Sequence, residues 1–76
     1  MNINEKNIKQ METMRQNLKS LRKVNGWSLE ELSEVSGISK TILTNIEEGK
    51  NFEIGYLIDL CRAYKIKLHE IFYPII

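Results

Sequence analysis

One cysteine, one histidine and one proline leave this 76-residue chain with little of the chemistry that staples or loads small domains. A lone thiol, Cys61, excludes an internal disulfide framework and suits a reducing compartment, so the protein is expected in the cytoplasm. His69 beside that single cysteine cannot supply a typical structural zinc set, and no carboxylate spacing completes one. No apolar run approaches the ~20 residues of a membrane span. The polar start MNINEKNIKQ has no apolar secretory segment. A glycine-rich phosphate loop, a nucleophile elbow and paired carboxylates in a cleft-forming setting are missing too. These absences argue against an enzyme, a cofactor, a bound metal and a membrane protein, and leave one small domain over residues 1–76 with a single core.

Helix is what is present. Ile8, Met11, Met14, Leu18, Leu21 and Val24 recur every three or four residues, one apolar stripe of an amphipathic helix. Asn4 or Asn7 is a candidate cap at its start, and Gly26 marks its end. Two short helices follow. The first spans about 29–35 behind Ser28 as N-cap; the second spans about 40–48 behind Ser39, with Gly49 as the stop. The turn Ser36-Gly37-Ile38 between them is tight enough to make the helices cross steeply, an arrangement that suits a DNA major groove. Leu32, Val35, Ile38, Leu43 and Ile46 are the expected buried set of this helix-turn-helix over about 28–48. Beyond a loop at 50–53, a fourth helix is expected over about 54–64, with Leu57, Leu60, Cys61 and Tyr64 on one side. A short fifth covers about 68–72, and Pro74 ends regular helix. The fold class is all-α, with 1–15 extending the core pattern and an apolar tail at 73–76.

The net charge of +1 conceals an uneven distribution. Residues 1–27 hold six basic and two acidic side chains, a local +4. Residues 28–53 hold two basic and six acidic, a local −4 on the segment that would face DNA. That balance is compatible with phosphate only if the glutamates face elsewhere or are paired.

Residues 16–72 resemble the phage-repressor-like, or Xre/Cro-type, helix-turn-helix family. NLKSLRKVNGWS is similar to the family's first helix and entry, LEELSEVSGISKTILTNIEEGKN to its two-helix motif, and LIDLCRAYKIKLHEIF to its closing helices. The resemblance implies a five-helix lambda-repressor-like DNA-binding domain, here with an N-terminally extended first helix. Members are mostly sequence-specific transcriptional regulators acting as homodimers on inverted-repeat operators. This chain looks closest to short single-domain types: restriction–modification controller proteins, small phage or plasmid repressors, and antitoxin-like autorepressors.

On a helix beginning at Lys40, apolar Leu43 and Ile46 turn inward and leave Lys40, Thr41, Thr44 and Asn45 outward. The family reads base edges from such positions. Lysine can donate to guanine O6 and N7, asparagine can pair with adenine, and threonine offers a hydroxyl and a methyl. Phosphate contacts are expected from Ser28, Ser39, Lys50 and Asn51 around the helix starts. Arg15, Lys19 and Lys23 are either longer-range attractors or ordinary surface charges. In the family, residues matching Arg22 and Glu47 join as a partly buried ion pair, which implies the same structural pair here. Leu29 stands where many members have a phosphate-clamping glutamine, and Ile42 where the family is often small or polar, so operator preference cannot be carried over.

Tyr64, Phe72, Tyr73, Ile75 and Ile76 are a large apolar set for so short a chain and form the expected dimer interface, although the tail can also fold back on Met11 and Met14. Two further functional readings stand beside DNA regulation by a repressor-like homodimer. One is an antitoxin-like interaction module whose main partner is a toxin, with secondary autoregulatory DNA binding. The other is a fold that has lost DNA binding and kept dimerisation, for which the local −4 and Leu29 speak.

Overall fold

The computed structural model describes residues 7–50 and 52–74. Four α-helices succeed one another: α1 (Ile8–Val24), α2 (Leu29–Ser36), α3 (Lys40–Glu47) and α4 (Ile54–Tyr64). A 3-10 helix at Leu68–Phe72 follows, where a short fifth helix was expected. Five residues closed by tighter i to i+3 turns are what this short a segment sustains. No strand occurs among the described residues, and the fold is all-α.

Local chemistry sets the boundaries. Ser28 Oγ accepts from the Glu31 amide at 3.1 Å while the Ser28 amide donates to Glu31 Oε1 at 3.0 Å, a reciprocal cap that starts α2. Gly37 ends α2 at φ +78, a left-handed conformation in which a side chain would be strained. Its amide donates to the Ser33 carbonyl at 2.9 Å. Ser33 Oγ then donates to the Ile38 carbonyl at 2.6 Å and braces the turn from within. Two residues after Gly37, Ser39 Oγ accepts from the Ile42 amide and α3 begins. At the start of α1, Asn7 occupies the cap position without a side-chain cap bond, and Asn4 lies outside the described residues.

Leu18, Leu32, Ile38, Leu43, Ile46, Leu57, Leu60 and Ile71 are fully or almost fully buried in one core. α1 packs on α3 and the 3-10 helix, and α2 packs on α3 and α4. Three expected core positions are not there: Val35 is 52 %, Ile8 52 % and Val24 73 % exposed. The stripe on α1 thus outruns its partners at both ends, and Val35 lies off the face that α2 turns inward.

The opposite correction applies to Tyr64. It was expected at a dimer interface but is buried in the monomer, stacked on half-buried Trp27 with ring centroids 5.7 Å apart. Its hydroxyl donates to the Leu18 carbonyl at 3.4 Å. Trp27 therefore leans on the end of α4. Phe72 packs partly against the core, whereas Tyr73 is exposed; Ile75 and Ile76 lie outside the described residues.

The closing segment folds back on α1 through Asn17, the one buried polar side chain among the described residues. Its Nδ2 donates to the carbonyls of Ile71 at 2.8 Å and Tyr73 at 2.7 Å. Both donors of one amide are used, so a single side chain satisfies two backbone acceptors that the 3-10 helix leaves over.

Two outcomes follow from this packing. Asn17→Ala leaves two carbonyls without their donor and is expected to lower stability by about 2–3 kcal/mol in urea unfolding. Burial first, and Glu47 second, push the Tyr64 hydroxyl well above its ordinary range. The folded state therefore holds that proton more tightly than the unfolded chain does. Stability should be insensitive to this group below about pH 10 and fall as pH rises beyond it. Tyr64→Phe should remove that alkaline component, and equal losses in both proteins would refute the assignment.

Candidate nucleic-acid interface

α3 presents two chemically distinct faces. Leu43 and Ile46 are buried, while Lys40 and Thr41 are exposed and Thr44 and Asn45 half-buried on the outer side. The four positions expected to read bases thus share the accessible part of one eight-residue helix. Thr44 Oγ1 donates back to the Lys40 carbonyl at 2.9 Å, which orients the side chain and leaves its oxygen able to accept. Ser28 and Ser39 stand at the N-termini of α2 and α3. Each hydroxyl oxygen accepts from its own helix, and a hydroxyl carries a donor as well. Lys50 is exposed just past α3, its ammonium 4.0 Å from Glu48. Asn51 lies outside the described residues. Leu29 and Ile42, the two departures from the family pattern, are partly buried against the core.

Most of the acidic side chains of the motif are engaged. Glu31 caps α2. Glu30 pairs with Lys40, whose ammonium holds that carboxyl below the usual carboxylate range. Glu48 has Lys50 nearby. Glu47 meets Arg22 in a two-point fork, with Nε to Oε2 at 2.8 Å and Nη2 to Oε1 at 2.9 Å. Arg22 Nη1 also donates to the Trp27 carbonyl at 3.1 Å, so one guanidinium ties α1, the entry to α2 and the end of α3 together. Its pKa is raised, chiefly by the hydrogen bond to Glu47, with burial opposing.

A second arginine joins this anchor. Arg15 Nη1 donates to the Glu47 carbonyl at 3.1 Å, and Nη2 to Glu12 Oε2 at 2.7 Å. Sequence reasoning left Arg15 as a longer-range attractor or an ordinary surface charge, although its spacing of seven from Arg22 puts both on one face of a helix. Asn17 was missed as well, because nothing local distinguishes it from any polar residue on α1.

The fork predicts a test. Arg22→Met leaves the largely buried Glu47 carboxylate without its cation and should cost about 3 kcal/mol in thermal or urea unfolding. Replacing both partners, Arg22→Met with Glu47→Leu, should recover much of that loss. A double variant as unstable as the single one would contradict this account.

Comparison with known proteins bears on the arrangement. A helix-turn-helix family profile, HTH_3, matches residues 18–71. Among solved structures, an HTH_3 family transcriptional regulator from Vibrio cholerae superposes with a TM-score of 0.74 at 27 % identity. The alignment covers 87 % of this chain and 38 % of that one, so this chain spans well under half of the larger protein. No curated protein matches the sequence. With its two-helix motif, most of its core and most of its length inside the matched region, the chain belongs to the HTH_3 helix-turn-helix family.

Proposed function

We propose that this protein is a sequence-specific, double-stranded-DNA-binding transcriptional regulator that inserts α3 into the major groove. The observation that carries the reading is the outer face of α3. Lys40, Thr41, Thr44 and Asn45 stand together and accessible on a short helix whose opposite side is fixed in the core. Those side chains supply donors, an amide and methyl groups in the mixture that base edges require. Family membership and the transcriptional regulator found among solved structures support the same class of function.

Ser28 and Ser39 serve as phosphate contacts at the positive starts of α2 and α3, and Lys50 and Asn51, past the end of α3 in sequence, serve as a second set. The engaged glutamates remove much of the electrostatic objection. Glu47 is withdrawn into an arginine fork, and Glu31 is committed to a helix cap. Glu30 masks Lys40 in the free protein, so specific binding requires Lys40 to exchange a carboxylate for a base acceptor.

The protein acts as a homodimer on an inverted repeat, its partner surface centred on exposed Tyr73 with the adjoining edge of Phe72 and the tail at Ile75 and Ile76. Two-fold pairing would set two copies of α3 about 34 Å apart, one turn of DNA. Access to chromosomal DNA puts this activity in the cytoplasm.

Selection from a random duplex library at near-physiological salt tests the reading. Enrichment of an inverted repeat with half-sites about one helical turn apart is expected. Lys40→Ala and Asn45→Ala should each weaken that operator by about 1–3 kcal/mol and relax preference at separate base pairs. A folded protein that enriches no sequence, or whose affinity ignores both substitutions, would overturn groove reading and favour a protein partner of the toxin type.

A further inference from the structure

An α-helix leaves its last four carbonyls without partners inside it. In α3 these belong to Thr44, Asn45, Ile46 and Glu47. The chain just beyond the helix meets three of them. The Glu48 amide donates to Thr44 at 2.9 Å, the Lys50 amide to Asn45 at 2.8 Å, and the Gly49 amide to Ile46 at 3.2 Å. The fourth, on Glu47, receives Arg15 Nη1 from another helix. The last turn of α3 carries no basic residue of its own. Arg15 thus brings in from α1 the positive charge that a helix C-terminus favours.

Its placement is built. Glu12, one turn back on α1, holds Nη2. Gly49, at φ +79, lies under the aliphatic stem, where a Cβ would stand 3.4 Å from Arg15 Cδ and 3.7 Å from Nε. With both terminal nitrogens engaged and the side chain only 22 % exposed, Arg15 is poorly placed to contact a phosphate.

We infer that Arg15 is a positioning residue for base reading: it holds the end of α3 by the Glu47 carbonyl while Arg22 holds the Glu47 carboxylate. Two anchors on one residue fix both the height and the rotation of the last turn, which carries Thr44 and Asn45. α3 is about 12 Å long, so a 1 Å shift of that end tilts the helix by about 5°. Direct hydrogen bonds to base edges tolerate such a shift poorly. The part of α1 that precedes the family-matched residues 18–71 therefore contributes to sequence reading without touching DNA. This inference rests on the DNA-reading function proposed above.

The test uses the full chain, the operator selected by the unaltered protein, and two variants. Arg15→Met keeps the stem and removes charge and donors; Arg15→Lys keeps the charge and loses the planar fork. In Arg15→Met, amide exchange at Glu48, Gly49 and Lys50 should quicken about tenfold, and operator affinity should fall about tenfold. Discrimination at the base pairs read by Thr44 and Asn45 should narrow, with the slope of log affinity against log salt unchanged. Arg15→Lys should lie between, and it carries the comparison if Arg15→Met does not fold. A salt slope reduced by about one unit, with equal loss on all sequences, would make Arg15 a phosphate contact and overturn the inference. Faster exchange with unchanged discrimination would overturn it too, leaving only a helix cap. Should the unaltered protein select no sequence, the DNA-reading function fails first and takes this inference with it, whatever the exchange rates.

Discussion

Glu47 is where the architecture converges. Its carboxylate takes a two-point fork from Arg22 and its carbonyl a single donor from Arg15, both on α1, so the end of α3 is held by a helix it does not follow in sequence. Apolar contacts through Leu43 and Ile46 press α3 onto the core, but such contacts are non-directional and leave a short helix free to rotate. Directed, charge-assisted bonds restrict that rotation. The value of the pair is positional, since desolvation of both ions offsets much of their attraction.

The same anchor bears on a charge balance that looks unfavourable for DNA. A local −4 counted along residues 28–53 treats every glutamate as equally exposed. In the fold, Glu47 points inward to arginine, Glu31 returns to its own helix start, and Glu30 stands against Lys40. The charges a phosphate would meet are therefore fewer than the count suggests.

Asn17 does for the closing segment what the arginines do for α3. A short 3-10 helix has poor internal bonding and would sit loosely on apolar contacts alone. One buried amide gives donors to both Ile71 and Tyr73 and seats that segment on α1. α1 is thus the common spine. It binds the proposed reading helix through Arg15 and Arg22, and the end of the chain through Asn17.

Helix starts and stops were legible because they depend on neighbours three or four residues away: Ser28 with Glu31, Ser39 with Ile42, and glycine where φ must be positive. The inward set Leu32, Ile38, Leu43 and Ile46 followed from spacing, and the Arg22–Glu47 pair from family resemblance. Val35 escaped the same reasoning, since periodicity names a helix face but not how far a neighbouring helix covers it, whereas Tyr64 falls by spacing on the inward face with Leu57, Leu60 and Cys61. Arg15 and Asn17 escaped it more completely, as their partners lie 32 and 54 to 56 residues away. By itself, then, the sequence determined an all-α chain of short capped helices with a polar outer face on α3, because those features are made by local bonds. Only the tertiary structure decided which polar side chains of α1 reach across to hold the other elements, because that choice follows from how the helices pack.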